Sequence, residues 1–383
     1  MSRASKYKDV TCMFPDLVKE DPDLLFKASS VAGYICLGDG TMWDLKHHER
    51  VDCSPKVVFT SCLAYVPKDR NEALVDVVKQ QLFVNPLGKE QGHFMLNSFS
   101  RAIGKHIGDK RLYLMIGSAN GGKGVIINAM EAAFQGLVGH YNNEDLIYKR
   151  GGTDSAKSLS WVKALSSASI GFANEVELGE GCYLSGNIIK KLASGGDVIQ
   201  ARQNFQDESS FVLPTTCFSA MNDLPNIKPL DEGVRNRLIT FDFQKTFVDT
   251  VRNPDYELQG DTDIKDKIKT LDWKSALFWA VLDAYTSDKV EPPKEVIKFK
   301  EEIIEDESDE TKISKLFVKS VNPKDFTTTD VFHKRVQSEG LVMTKTKLSR
   351  TMKKLGFPSR VMKIGGQTTK VYDLVLKQEE VTL

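Results

Sequence analysis

The 383-residue chain has little that would tie it to a membrane, a zinc site or an oxidising compartment. No apolar run approaches the roughly 20 residues needed to cross a bilayer. The N-terminus, MSRASKYKDV, lacks the apolar centre of a secretion signal. Six cysteines, at positions 12, 36, 53, 62, 182 and 217, include no CxxC pair and no Cys/His ladder of zinc spacing. They read as reduced thiols of an intracellular protein, cytosolic or nuclear in type. Internal repeats are missing too. Net charge is zero, from 52 basic and 52 acidic residues, but the balance is uneven along the chain. The acidic run EEIIEDESDE at 301–310 precedes a tail, 311–383, with fifteen Lys and Arg against six Asp and Glu. A basic C-terminal module behind an acidic hinge is the expectation.

What the chain does contain falls into four parts, and 41% hydrophobic residues are enough for ordinary cores. In residues 1–95, GYICLGDGTMWDL predicts two short strands about a Gly-Asp-Gly turn, and NEALVDVVKQQLFV predicts a helix. Residues 96–287 read as an α/β core: the apolar strand LYLMIG, a glycine-rich loop, the helical VIINAMEAAFQGL, then SASIGFA and FVLPTTCFSA as buried parallel strands. Residues 288–310 predict a charged helix, VIKFKEEIIEDE, running into a linker. In 311–383 the order is helix, helix, helix and hairpin: ISKLFVKSV, TTTDVFHKRVQSEG, TKTKLSRTMKKLG and SRVMKIGGQTTKVYDLVL. That order suits a winged helix-turn-helix.

GSANGGKG, Gly117 to Gly124, is the motif on which a functional reading turns. Gly117 and Gly122 keep the GxxxxGK interval and Lys123 follows directly. Glycines let backbone amides turn inward around a phosphate, the next helix adds its positive end, and the lysine neutralises the outer phosphates. Gly117, Ser118, Ala119, Asn120, Gly121, Gly122, Lys123 and Gly124 are therefore the candidate phosphate site. Gly124 stands where such loops carry a magnesium-binding hydroxyl, so the metal would rely on water, phosphates and carboxylates elsewhere. A bare glycine-rich turn has the same spacing, and the residues further along decide between the two. SIGFANEVELG ends an apolar strand with Glu175 and, two places on, Glu177; CFSAMND ends another with Asn222; GVRNRLITFDF sets Arg235 and Arg237 just before a last strand. An acid near magnesium, a polar group on the attacking water and an arginine on phosphate are the companions phosphoryl transfer needs.

The stretch from ASIGFANEVELG to RNRLITFDF resembles the poxvirus-type primase-helicase family, within superfamily 3 of the AAA+ class. The matching residues are Glu175, Lys190, Leu192, Gly195, Gly196, Asp197, Ile199, Ala201, Arg202, Asn222, Pro225, Arg237 and Phe243. ICLGDGTMWDLKHHE with YVP resembles the family's accessory domain, and the tail its winged-helix region. Three departures stand out. Asn120 lies one place early and Gly124 replaces a serine; Asn174 replaces the usual neighbour of the strand-end glutamate; Asn236 occupies the first place of a common Arg-Arg pair.

The resemblance implies an ATP-dependent DNA helicase for replication of a virus, phage or mobile element, a hexameric ring moving on single-stranded or forked DNA inside an infected cell. A primase, in the same chain or a separate one, is an implied partner. ATP would sit on the loop with Lys123 on its terminal phosphates, Glu175 on the attacking water, Glu177 helping to hold Mg2+, and Asn222 orienting the water. Arg237, with Arg235 as a substitute, would act on a neighbouring subunit's ATP. The block holding Lys190, Lys191, Arg202 and Phe205 would face DNA in the ring's channel. Lys345, Lys347 and Arg350, on the last helix with Lys353 and Lys354, would meet nucleic acid. His47 and His48 read as surface residues, and Asp261 and Asp263 as a turn. Two other readings remain: a DNA-binding replication initiator that nucleotide merely stabilises, and a P-loop small-molecule kinase, against which the winged tail and the A-R block argue.

Overall fold

The computed structural model describes residues 32–54, 57–147, 159–174, 183–201, 209–222, 227–304, 313–314, 316–320, 325–339, 341 and 345–377. An antiparallel meander comes first: β1 (Tyr34–Cys36), β2 (Thr41–Asp44) and β3 (Glu49–Asp52). Its first turn is the expected Gly-Asp-Gly, with Gly40 at φ +81° and Asp39 accepting from the Thr41 amide at 3.1 Å. This side-chain bond is what makes Asp-Gly a turn former. Asn71 then caps α1 (Glu72–Lys79), which continues through a π-helical turn, Gln80–Val84, into α2 (Asn85–Leu87) and α3 (Lys89–Ile103).

β4 (Leu112–Ile116) leads through the glycine loop into α4 (Lys123–Ala133) and β5 (Val138–Asn142). β6 (Ile170–Asn174), β7 (Leu184–Ser185), α5 (Gly186–Leu192), β8 (Val198–Ala201), β9 (Ser209–Val212) and β10 (Thr216–Met221) follow. After them come β11 (Ile227–Lys228), α6 (Glu232–Arg235) and β12 (Leu238–Asp242). Five of these strands make one parallel sheet in the order β12-β4-β10-β6-β5. Every residue of β4 is buried, as expected of a parallel strand covered on both faces. The chain fills one side of β4 with β5, β6 and β10, then crosses to the other with β12. The strand order thus reverses at β4, and the carboxyl ends beside such a reversal form the natural ligand crevice of an open parallel sheet.

FVLPTTCFSA is not one strand. Pro214 offers no amide to a ladder, and the chain divides there: Ser209–Val212 pairs antiparallel with β8 in a separate hairpin, and only Thr216–Met221 enters the parallel sheet. The sheet's core is aromatic, with Tyr113 stacked on Phe218 at 4.4 Å and Phe99 against both Phe172 and Phe218. β13 (Thr246–Val248), β14 (Glu257–Gln259), α7 (Ile264–Lys267), α8 (Leu271–Asp283) and α9 (Lys294–Ile304) follow the last core strand. α8 packs on α1 and α4, and Trp43 of the meander meets Trp279 edge to face at 5.1 Å. Meander and sheet therefore share one hydrophobic core.

Compact units divide the chain at Met1–Ile303 and Ile304–Leu383. The second contains β15 (Phe317–Lys319), β16 (Thr327–Thr328), α10 (Thr329–Ser338), α11 (Lys345–Lys354), β17 (Arg360–Ile364), β18 (Gln367–Tyr372) and β19 (Leu374–Leu376). β16-β18-β17 form an antiparallel sheet whose β17–β18 hairpin turns on Gly365 and Gly366, as expected. The helix expected over ISKLFVKSV gives way in part to strand. Phe317 is buried and Val318 half exposed, and β15 pairs antiparallel with β19. Phe332, Val336, Leu348, Met352 and Tyr372 fill this unit's core. No helix among the described residues is long and apolar enough to cross a membrane.

Candidate nucleotide site

Three strand ends meet at one level: Ile116 of β4 pairs with Met221 of β10 on one side and Asp242 of β12 on the other. The glycine loop leaves from the middle one. Gly117 has φ +151°, and a Cβ there would lie 2.4 Å from the Phe243 carbonyl oxygen, so only glycine fits. Gly122 has φ +93° and ends the loop as the cap position of α4, facing the Phe247 ring. Asn120 takes the left-handed conformation at φ 61° that its side chain tolerates better than most. α4 carries no side-chain cap and no acidic residue in its first turn. Its leading amides have no partner within the helix and bear the positive end of the helix dipole.

Lys123, 5% exposed, folds back over this loop. Its ammonium donates to the Gly117 carbonyl, to the Ser118 carbonyl at 3.0 Å and to the Asn222 side-chain oxygen at 3.2 Å. Asn222 is exposed, one residue past the end of β10. The structure thus brings together Lys123 and Asn222, which the sequence offered as separate candidates. Glu175 and Glu177, next along the chain from β6, lie outside the described residues, as do Arg202 and Phe205.

Sequence reasoning missed the wall that holds the loop. Phe243 donates its amide to the Ile116 carbonyl at 2.7 Å, and Phe247 donates its own to Asn120 at 2.9 Å. Ser118 and Thr246 hydroxyls lie 3.3 Å apart. QKTFV carries no nucleotide motif, and its part shows only once β12 is laid beside β4. Next to this wall is a cavity of about 370 Å³, lined in part by Leu87, Gln91, Asp242, Glu295, Phe299 and Glu302. Burial raises the Asp242 carboxyl above the ordinary range, opposed by a hydrogen bond from Gln244.

Arg237 lies at the other end of the sheet. It precedes β12, and its carbonyl accepts from Leu112, the first residue of β4. The loop begins beyond the last residue of that five-residue strand, a separation of about 16 Å at 3.3 Å per residue. Within one chain Arg237 cannot reach a phosphate on the loop. Its guanidinium donates instead to the carbonyls of Ala193 at 3.0 Å and Gly233 at 2.7 Å. Arg235, half-buried in α6, gives its carbonyl to Lys300 at 3.4 Å.

Lys190 and Lys191 both ride on α5. Lys191 is exposed, while Lys190 pairs with Asp231 at 2.7 Å. The hairpin of β8 and β9 follows that helix, with Val198 56% exposed on it. Lys345, Lys347 and Arg350 lie on α11, where Lys345 pairs with Asp330 at 2.7 Å. His47 bonds Asp44 at 2.9 Å. Asp261 accepts from the Asp263 amide and pairs with Lys267, the turn arrangement expected of that stretch.

No protein-family model matches the chain. Over 285 residues it is 28% identical to the putative helicase V13 of Sputnik virophage; the alignment covers 73% of this chain and 36% of that protein. The chain thus spans about a third of the length of that relative. Among solved structures, the apo A form of the NrS-1 C-terminal region matches 81% of this chain and 76% of its own, at 14% identity and a TM-score of 0.49. JCV helicase matches 76% and 67%, at 12% identity and a TM-score of 0.37. Both scores fall below 0.5, short of establishing a common fold.

Proposed function

We propose that the chain is an ATP-driven DNA helicase of the superfamily 3 type, acting as a ring in replication of a virus, phage or mobile element. The observation that carries this reading is the split between the two ends of the parallel sheet. Lys123 and Asn222 converge on the glycine loop at one end, while Arg237 sits at the other, beyond reach of that loop. An arginine so placed meets a triphosphate only if a second copy presents its own loop, and head-to-tail contacts of this kind form rings when the rotation between copies closes. The 28% identity to the virophage protein supports the same reading.

In this arrangement the loop amides and the α4 N-terminus hold the phosphates, and Lys123 exchanges the Gly117 and Ser118 carbonyls for phosphate oxygens. Asn222 orients the attacking water, which Glu175 polarises. Arg237 of an adjoining copy, with Arg235 beside it, neutralises charge as the terminal phosphoryl group leaves. Because these groups gather on the β10 side, the nucleoside extends the other way, past β12, into the cavity beside Asp242 and Phe299.

Magnesium fits this site without a loop hydroxyl. Gly124 has no side chain, and nothing lies within 4 Å of where its Cβ would be, so phosphates and water can occupy that space. Glu175 and Glu177 would hold the ion, which supplies charge neutralisation on the phosphate oxygens when bound.

The reading extends to an accessory segment at 1–95, a motor core at 96–287, an acidic linker at 288–310 and a winged helix at 311–383. Lys190, Lys191, Arg202 and Phe205 are proposed to follow one DNA strand, and Lys345, Lys347 and Arg350 to meet nucleic acid, with a primase as a further partner. The test is ATP hydrolysis with and without single-stranded DNA, alongside displacement of a strand from forked DNA. Displacement that survives Lys123→Ala or Arg237→Ala overturns the motor mechanism. Nucleotide binding with no hydrolysis would favour the initiator reading, which the missing hydroxyl at Gly124 supports.

A further inference from the structure

Arg237 is gripped from two sides. On one, Asp231 begins α6 by accepting from the Val234 amide at 3.0 Å, and the Gly233 carbonyl of that turn accepts from Arg237 Nη1. On the other, α5 ends at Ala193, whose carbonyl accepts from Arg237 Nε. The same two helices are joined directly by Lys190 of α5 and Asp231 of α6. The packing is close: a Cβ on Gly233 would lie 3.2 Å from Asp231 Oδ1, 3.4 Å from Arg237 Nη1 and 3.6 Å from Lys190 Cδ. Beyond Ala193 the chain turns through Gly195 and Gly196, at φ +81° and +119°, and enters the β8–β9 hairpin at Val198.

We propose that Asp231, through its ion pair with Lys190, is a positioning residue that couples the β8–β9 hairpin to Arg237, so that a DNA strand held at the hairpin sets the arginine for a neighbour's ATP. The coupling rests on the ring-motor reading above. One end of the arginine's grip belongs to the segment leading into the hairpin, and the other belongs to α6. With the ion pair in place, a displacement of the hairpin carries both carbonyls together and turns the guanidinium as a unit. Without it, the Ala193 carbonyl moves alone and the guanidinium is left on α6.

Magnitudes separate this role from a structural one. The pair is exposed, 32% and 47% at the two side chains, and such solvent-screened pairs contribute little to folding. Asp231→Asn also keeps the cap of α6, since asparagine caps a helix as well as aspartate does. The substitution therefore removes the charge pair while leaving the turn and the fold.

The experiment measures ATP hydrolysis by the 383-residue chain against increasing single-stranded DNA, for wild type, Asp231→Asn, Asp231→Glu and Arg237→Ala. DNA affinity, nucleotide affinity and thermal midpoint are followed in parallel. The expected result for Asp231→Asn is a loss of about 5-fold or more in DNA-stimulated kcat. The DNA concentration for half-stimulation, the nucleotide affinity and the melting midpoint stay at wild-type values, and Asp231→Glu restores much of the stimulation. A wild-type response from Asp231→Asn, with Arg237→Ala inactive, overturns the coupling and leaves the motor reading standing. Loss of DNA affinity in Asp231→Asn also overturns it: the variant keeps Lys190 and the other cations proposed to follow DNA, so the loss would place the Asp231 side chain itself in DNA binding. Wild-type hydrolysis indifferent to DNA, or to Arg237→Ala, overturns both.

Discussion

Lys123 and Asn222, 99 positions apart in the chain, meet at 3.2 Å over the mouth of the glycine loop. The contact joins the group that would hold the outer phosphates to the one that would orient water, and their removal should separate. Charge-assisted hydrogen bonds contribute about 1.5–3 kcal/mol each, so Lys123→Ala is expected to weaken ATP binding roughly 10- to 100-fold. Asn222→Ala should leave binding within a few fold and reduce kcat by about 100-fold. A fluorescent-nucleotide titration and a phosphate-release assay distinguish them. Equal losses of affinity in the two variants would make Asn222 a binding group.

The loop's glycines are not equivalent. A methyl at Gly117 meets the Phe243 carbonyl and its Cβ, at 2.4 and 2.7 Å, on a backbone that L-residues avoid. Gly117→Ala should therefore destabilise the fold by about 2–4 kcal/mol, read as a lower denaturation midpoint in urea. A side chain at Gly124 meets nothing within 4 Å. Gly124→Ser should fold as wild type and steepen the dependence of hydrolysis on magnesium; an unchanged magnesium titration would show that the metal never uses that position.

How much of this was legible in the sequence follows from the range of each signal. The loop, its strand and its helix lie within about twenty consecutive residues, where spacing and periodicity act locally, and they appear where LYLMIG, GSANGGKG and VIINAMEAA predict. The hairpin on Gly365 and Gly366 was equally local. Pro214, also visible in the sequence, is masked by the apolar run around it, and the strand breaks there. Thr246, Phe247 and Phe299 carry no motif, because their relation to the loop exists only after β12 crosses to the far side of β4. The same holds for Arg237: its distance from the loop is a property of strand direction, and no spacing in the sequence encodes it.

Under the proposed function, Phe299 gives a second handle on the nucleotide. It lines the cavity on the β12 side together with Gln91 and Asp242, and an aromatic ring under a base contributes about 1–3 kcal/mol. Phe299→Ala should weaken ATP roughly 5- to 100-fold while leaving binding of inorganic tripolyphosphate, which has no base, unchanged. Competition titrations against a fluorescent nucleotide measure both. Parallel losses for the two ligands would place the base elsewhere.

The cysteines that looked scattered include three that gather. Burial first, then the neighbouring Cys62 and Cys53 thiols, push the Cys36 thiol up to about 11. Cys53 and Cys62 are exposed, and burial pushes Cys217 up to about 12. Because the thiolate is the reactive form, iodoacetamide at pH 8 should alkylate Cys53 and Cys62 well before Cys36, with Cys217 slowest. The Cys36 rate should rise about tenfold per pH unit between pH 8 and 10. Peptide-resolved mass spectrometry gives each rate, and early labelling of Cys36 would mean that its thiol is not buried in solution.

His106 sets an acid limit on the fold. Burial, then the adjacent Arg101 cation, lowers its imidazole from 6.5 to about 4, against the opposing pull of Asp109, while its Nε2 contacts the Tyr285 hydroxyl at 2.9 Å. The unfolded chain therefore binds one more proton than the folded chain between about pH 4 and 6.5. Stability rises with pH wherever the unfolded state binds more protons, so this group costs nothing above pH 6.5 and destabilises progressively as pH falls towards 4. After allowance for its partial exposure, the loss is about 1–2 kcal/mol. His106→Gln keeps a polar partner for Tyr285 and removes the titration, so the difference in unfolding free energy between wild type and variant should shift by that amount across the interval, in favour of the variant at low pH. Urea unfolding at half-unit steps from pH 4 to 7 measures it; a pH-independent difference would mean that the imidazole takes up its proton as readily folded as unfolded.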